Sequence, residues 1–354
     1  MVDQSTDTSR LALMGAPGSP YTRKMLALLR YRRIPYTMLW GSHRDPPEGL
    51  PEPAVKLLPT FYFPKAGDQK AEAEFEAVVD STPIIRRLEA ERSGRSVLPE
   101  DPALGYLNDL VEDFADEWLT KAMFHFRWAH KTDADNAGPM LIFWSDPTLP
   151  DDKAAEMSDF ISKRQIDRLY VVGSNDVTAA TIEESYGRLL DILDRLVQAG
   201  GYVFGSRPSS ADFAIYGQLT QLGVIEPTSA AITQARTRRV RAWIDRVEDL
   251  SGLDLARADW IGADEAKASL APLLAEIGRV YVPFLLANAE AVASGQRSFE
   301  AEIDGRPWTQ PTFPYQAKCL RWLREGYAAL PDAARDELAG LFAGTGCEPL
   351  TQNA

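Results

Sequence analysis

The apolar positions follow two regimes. Up to about residue 95 they switch between short unbroken runs and helix-like periods, and beyond that point they keep to helical spacing. Residues 11–14 read as a strand. After the loop Gly15-Ala16-Pro17-Gly18, Ser19 stands as an N-cap with Pro20 in the first helical position. Met25, Leu26, Leu28 and Leu29 then supply one face of a helix running to about Arg33. Residues 36–40 predict a second strand, and residues 41–53, rich in Pro, Gly and charge, a loop with room for one short helix. A β-prone run at 57–63 is entered through Pro59, which cannot donate to a ladder and so belongs at a strand start or edge. A turn at Gly67-Asp68 and a second run at 75–79 make it one of two adjacent strands. Ile84, Ile85 and Leu88 follow at helical spacing, with Ser81 or Thr82 placed to cap a helix ending near Gly94. The order is βαβ, then ββα.

From Pro102 the apolar residues Leu104, Leu107, Leu110, Val111, Phe114, Trp118 and Leu119 recur at three and four, predicting one long amphipathic helix. Further helical periods cover 154–169 and 177–199, and Ser209-Ser210-Ala211-Asp212 has the form of a Ser-x-x-Asp capping box. Val240, Trp243, Ile244 and Val247 mark another helix. Between 265 and 292 the helical period continues, kinked or broken at Pro272 and Pro283. Asp304-Gly305 between alternating runs predicts a tight hairpin, and two more helices finish the chain. The apolar stripe Leu270, Leu273, Leu274, Ile277, Tyr281 and Phe284 requires a cover, which the helical region is expected to supply.

With 354 residues, the chain has room for two or three domains of about 150 residues. Its 45% hydrophobic and 25% charged residues are ordinary for a globular protein. The net charge of −13 disfavours a nucleic-acid partner. The polar, acidic start lacks the pattern of a secretory signal, and Glu276, Arg279 and Glu290 interrupt the greasiest stretch, so neither export nor a membrane span is expected. Two cysteines, Cys319 and Cys347, provide no disulfide framework and fit a reducing cytoplasm. A metal site is not expected. His125 and His130 are five apart, off the shared face that a spacing of four gives, and no third ligand cluster accompanies them. Neither a Gly-x-Ser-x-Gly elbow nor a phosphate loop surrounds Ser19.

The βαβ-ββα order with a proline opening the third strand, followed by helices, resembles the glutathione transferase superfamily. The residues carrying the likeness are Gly15 to Lys24, Arg33-Ile34-Pro35-Tyr36, Leu58-Pro59-Thr60, Asp80-Ser81 and Ser209 to Phe213. They span residues 10 to about 250. The resemblance implies a fold class of a thioredoxin-like N-terminal domain, an all-α C-terminal domain and a mainly helical extension with one hairpin, at 1–95, 102–258 and 259–354.

It also implies chemistry. A serine at a helix N-terminus, beside unpaired N–H groups, suits an anion. If that anion is the glutathione thiolate, its pKa falls from about 8.5 and more nucleophile exists at neutral pH. Ser19 is the expected catalytic residue, with a capping role as the alternative and Tyr21 as second choice. Redox relatives open this helix with Cys-Pro-Tyr-Cys, whereas the slots here read Ser19-Pro20-Tyr21-Thr22, so thiol–disulfide exchange has no attacking thiolate. By the same resemblance Pro59 is cis and Leu58 offers its backbone to the cysteinyl part. Asp80 and Ser81 hold the γ-glutamyl end or merely cap a helix, and His43, Arg44 and Lys56 are the candidates for the glycyl carboxylate, which one of them meets, or none. Relatives place their acceptor pocket near Trp118, His125, Arg127, Trp128 and His130, although aromatics at this spacing are more often core. The expectation is a cytoplasmic, homodimeric enzyme that uses glutathione against a small hydrophobic electrophile. The alternative is a non-catalytic binding or assembly protein of the same fold.

Overall fold

The computed structural model describes residues 10–41, 49–65 and 74–352. The turn expected at Gly67-Asp68, the candidates His43 and Arg44, and most of the loop after the second strand lie outside the described residues.

Strand β1 (Leu11–Gly15) leads into α1 (Pro20–Arg32), β2 (Tyr36–Trp40), β3 (Thr60–Pro64), β4 (Phe75–Val78) and α2 (Ser81–Glu91). The sheet order is β2-β1-β3-β4, with β1 and β2 parallel and the other pairs antiparallel. Leu13 lies opposite both Met38 and Phe61, which fixes the register. Because strand side chains alternate, Leu11 and Leu13 join α1 and α2 in the main core, while Ala12 and Met14 pack with Leu39, Tyr62 and Phe75 behind the sheet.

The helical half comprises α3 (Pro102–Phe114), α4 (Thr120–Ala129), α5 (Lys131–Ser145), α6 (Asp151–Ile166), α7 (Ala179–Ala199), α8 (Ser210–Thr220), α9 (Pro227–Arg236) and α10 (Arg238–Val247). Between α3 and α4 the chain stays helical through a π-turn at Ala115–Leu119, so the predicted long helix continues to Ala129. Helix α5 has no counterpart in the apolar pattern. It carries Gly138 and Pro139, and Gly138 abuts α6, where a Cβ would lie 2.3 Å from the Ser162 hydroxyl. At α8 the buried Asp212 carboxylate accepts from the backbone N–H of Ser209 and of Val203, each at 2.9 Å, completing the expected cap.

The last hundred residues form α11 (Ala263–Ser269), α12 (Ala271–Glu276), a π-turn at Ile277–Tyr281, α13 (Val282–Ala293), β5 (Ser298–Ile303), β6 (Arg306–Pro311), α14 (Pro314–Ala328) and α15 (Asp332–Phe342). Interruptions fall at both predicted prolines. Asp304 and Gly305 both have positive φ, 56° and 69°, as a two-residue hairpin turn requires. The stripe from Leu270 to Phe284 is fully buried, in one core with Phe114, Trp118 and α7. Its cover therefore lies within the chain. Among the described residues no helix is long and apolar enough to cross a membrane.

Candidate active site at the N-termini of α1 and α2

Ser19 caps α1: its Oγ accepts from the Thr22 N–H at 3.2 Å, and its O–H points to the Leu58 carbonyl at 3.5 Å. The backbone N–H has already satisfied the acceptor side of the hydroxyl, while the donor side makes only a long contact, so the proton is available to an incoming anion. Capping and anion binding are thus compatible here. The Leu58-Pro59 peptide is cis, and Leu58 is half-buried against Ser19.

Asp80 occupies the N-cap of α2 but makes no side-chain cap bond, and the helix begins one residue earlier than a Ser81 cap predicts and two earlier than a Thr82 cap does. The reason is visible in the partners. Ser81 is turned inward to Lys24 Nζ at 3.0 Å, and Thr82 donates to Glu112 at 2.8 Å, so neither hydroxyl is free to cap. Asp80 has φ 79°, a left-handed conformation unfavourable for a residue with a side chain; such strain costs about 1–3 kcal/mol and collects at functional sites. Its carboxylate accepts instead from the Tyr315 O–H at 3.0 Å, a group contributed by α14.

Below the two helix termini lies a buried ionic knot. Lys24 Nζ meets Glu112 at 2.8 Å and Asp116 at 2.6 Å, with all three side chains nearly or fully buried. Burial opposes the Lys24 charge, but Asp116 and Glu112 outweigh it and hold the pKa above its ordinary value. Burial would likewise raise Glu112, yet Lys24 and Arg86 bring it down to about 2. For Asp116 burial wins over Lys24, with Glu112 adding to it, and the pKa rises to about 7. One cation for two carboxylates explains the split. Two more carboxyls follow on the same helical segment. Asp113 accepts from the Tyr281 O–H at 2.6 Å, Glu117 from Gln316 at 3.0 Å, and burial lifts each to about 7.

A cavity of about 460 Å³ opens between α2, α3 and α14, with Asp80, Asp113, Tyr106, Tyr315, Cys319 and Trp322 among its walls. It adjoins Asp80 rather than Ser19. On the Ser19 side Leu141 and Trp144 of α5 close over Gly18, where a Cβ would lie 2.6 Å from the Trp144 ring and 2.9 Å from Leu141. These residues form an apolar wall beside the helix terminus.

Tyr21, the second choice, turns away: its O–H donates to the Asp116 carbonyl at 2.7 Å, and burial followed by the negative charges of Glu117 and Asp116 holds its pKa far above normal. Lys56 pairs with Glu52 at 3.3 Å on the surface. Trp118 and Trp128 are core, and Trp118 donates to Ser185 at 3.1 Å. Arg127 is also buried, and it supports the site from behind by donating to the Gly18 carbonyl at 2.9 Å while meeting Gln221 and Glu226. Sequence reasoning placed Arg127 near the site without this role and missed Lys24, Trp144 and Tyr315. Lys24 had a signal, since it stands four before Leu28 on the buried face of α1, whereas Tyr315 had none.

A four-stranded thioredoxin-like sheet, a cis-proline loop facing a helix-capping serine, and the helical region from α3 to α10 define the class. The pattern for the N-terminal domain of glutathione S-transferase matches residues 13–96, and that for its C-terminal domain matches residues 153–246, together about half of the chain. The chain belongs to the glutathione S-transferase superfamily. No curated protein matches it in sequence. Among solved structures it is similar to the beta-etherase LigF from Sphingobium sp. strain SYK-6, at 17% identity over 67% of this chain and 94% of that one, with a TM-score of 0.45. A tau-class glutathione S-transferase from mango, Mangifera indica, shows 19% identity, 68% and 89% coverage and a TM-score of 0.42. A glutathione transferase family member from Pseudomonas fluorescens pf-5, with two glutathione bound, shows 15% identity, 72% and 91% coverage and a TM-score of 0.40.

Proposed function

We propose that the chain is a glutathione transferase-like enzyme in which Ser19 stabilises the thiolate of bound glutathione for attack on a small hydrophobic electrophile. The observation that carries this reading is the arrangement of three groups. Ser19 Oγ, polarised by the Thr22 N–H, faces the Leu58 carbonyl beside Pro59, and Asp80 stands uncapped and strained at the next helix terminus. Glutathione, the co-substrate of the superfamily, needs such a set. The Leu58 backbone pairs with its cysteinyl part, Asp80 takes the γ-glutamyl ammonium and the Ser81 backbone N–H the carboxylate, and the Ser19 O–H donates to sulfur. The thiol proton leaves to solvent, and the thiolate attacks an acceptor held against Leu141 and Trp144. Conjugation, isomerisation and dehalogenation all use that nucleophile. A cytoplasmic setting, where the two buried free thiols stay reduced, and a homodimer belong to the same reading.

Calorimetric titration with reduced glutathione should give binding to the wild type that an Asp80→Ala, Ser81→Ala double variant loses. Ser19→Ala should keep binding and lose turnover; full turnover with unchanged binding would refute the thiolate role.

One observation favours the second reading, a non-catalytic protein that keeps the fold. The last hundred residues place the Tyr315 hydroxyl on Asp80, so the carboxylate already has a partner inside the chain. Glutathione binding by Tyr315→Phe but not by the wild type would support this reading.

A further inference from the structure

Away from this site, His125, His130 and Glu183 bring three ligand atoms within 4.8 Å of one another, and they are the one such group among the described residues. Five-residue spacing separates two histidines on a continuous helix, but α4 ends at Ala129. His130, with extended backbone at φ −98° and ψ 131°, swings its ring back toward the last turn of α4. The two rings end 5.3 Å apart between centroids and nearly perpendicular, at 84°. Helix α7 then supplies Glu183, whose Oε1 lies 3.1 Å from His125 Nε2 and 3.2 Å from His130 Nε2.

We propose that these three residues bind a divalent transition metal of the zinc class, tying the α4–α5 break to α7. Ligands about 2.0–2.1 Å from a tetrahedral ion stand roughly 3.3 Å from each other. The two nitrogen-to-oxygen separations match that edge. The donor set of two imidazoles and one carboxylate suits zinc, cobalt or nickel rather than calcium or magnesium.

Two further features are compatible with a bound metal. His130 Nε2 is a buried atom that makes no hydrogen bond, although a carboxylate oxygen is 3.2 Å away. On the other side of His125, Nδ1 lies 2.7 Å from the Ser174 hydroxyl. Without an ion, Nε2–H donates to Glu183 Oε1 at 3.1 Å; a metal at Nε2 would replace that proton and leave Nδ1–H to donate to Ser174, the usual outer support of a metal-bound imidazole. The side chains of His130 and Glu183 are 35% and 40% exposed, which gives an ion access from solvent.

The test uses the full chain, stripped with a chelator and titrated with zinc by calorimetry and with cobalt by visible absorption. One ion per chain is expected, with the intense absorption of four-coordinate cobalt and a higher melting temperature in zinc. His130→Ala and Glu183→Gln, both at partly exposed positions, should weaken binding at least about tenfold and abolish the melting shift. Failure of the wild type to take up either metal, or uptake that both variants retain, would overturn the assignment.

Discussion

Replacing Lys24 by Met keeps most of the side chain's length and its packing against Gly217 while deleting the one cation in the knot below the site. In the wild type Nζ serves Glu112 at 2.8 Å, Asp116 at 2.6 Å and Ser81 at 3.0 Å, and Lys24 and Glu112 are essentially inaccessible. Unit charges about 4 Å apart attract by roughly 4 kcal/mol at an effective dielectric constant of 20. The Glu112 contact is lost in full and the Asp116 contact in part, since its carboxyl, raised to about 7, is only partly ionised at pH 7; the loss is offset because the ammonium is no longer desolvated. Measurements on broken buried pairs place the net cost at about 3–5 kcal/mol. Urea denaturation at pH 7 should show that loss in Lys24→Met as a lower midpoint with an unchanged slope.

The variant also carries a pH signature. Without Lys24 the folded-state pKa values of Glu112 and Asp116 lie above their unfolded ones, so the native state binds more protons. Stability is then retained in acid and falls as pH rises through the folded values, by about 1.4 kcal/mol per pH unit for each group titrating. Lys24→Met should therefore lose more ground at about pH 8 than at about pH 6. A change below about 1 kcal/mol at both pH values would refute the account of the knot as a charge-compensated pair.

Asp113 and Glu117, each raised to about 7, predict a fall in wild-type melting temperature as pH rises through that value, because unfolding releases both carboxyls to their ordinary range. Glu117 is surrounded by Asp113, Gln316, Lys121 and Asp80, and Glu117→Gln should flatten the fall; an unchanged slope would count against it. Gly18→Ala forces a methyl into the Trp144 ring, an overpacking of roughly 1–3 kcal/mol. The expected outcome is a shift in tryptophan emission together with weaker glutathione binding, and emission identical to the wild type would show that α5 does not cover this loop.

By itself the sequence determined the local elements and the family-like frame. Alternation of apolar runs with helical periods marked β1, α1, β2, β4 and α2. Pro59, Ser19, Ser209 with Asp212, and Asp304-Gly305 marked a strand start, two caps and a turn, because each acts through its own backbone neighbours. Helix α5 escaped notice because Gly138 and Pro139 lower its intrinsic propensity, and only packing on α6 repays that. What tertiary structure decided was which distant side chains meet. Ser81 and Thr82 are drawn to Lys24 and Glu112, and the Asp80 carboxylate meets Tyr315 from 235 residues away rather than its own helix. Glu183 reaches two histidines more than fifty positions earlier only because α7 packs against α4 and the chain bends at His130. Periodicity reports which face of an element is buried; the identity of the partner on that face depends on long-range packing, for which a single sequence carries no local signal.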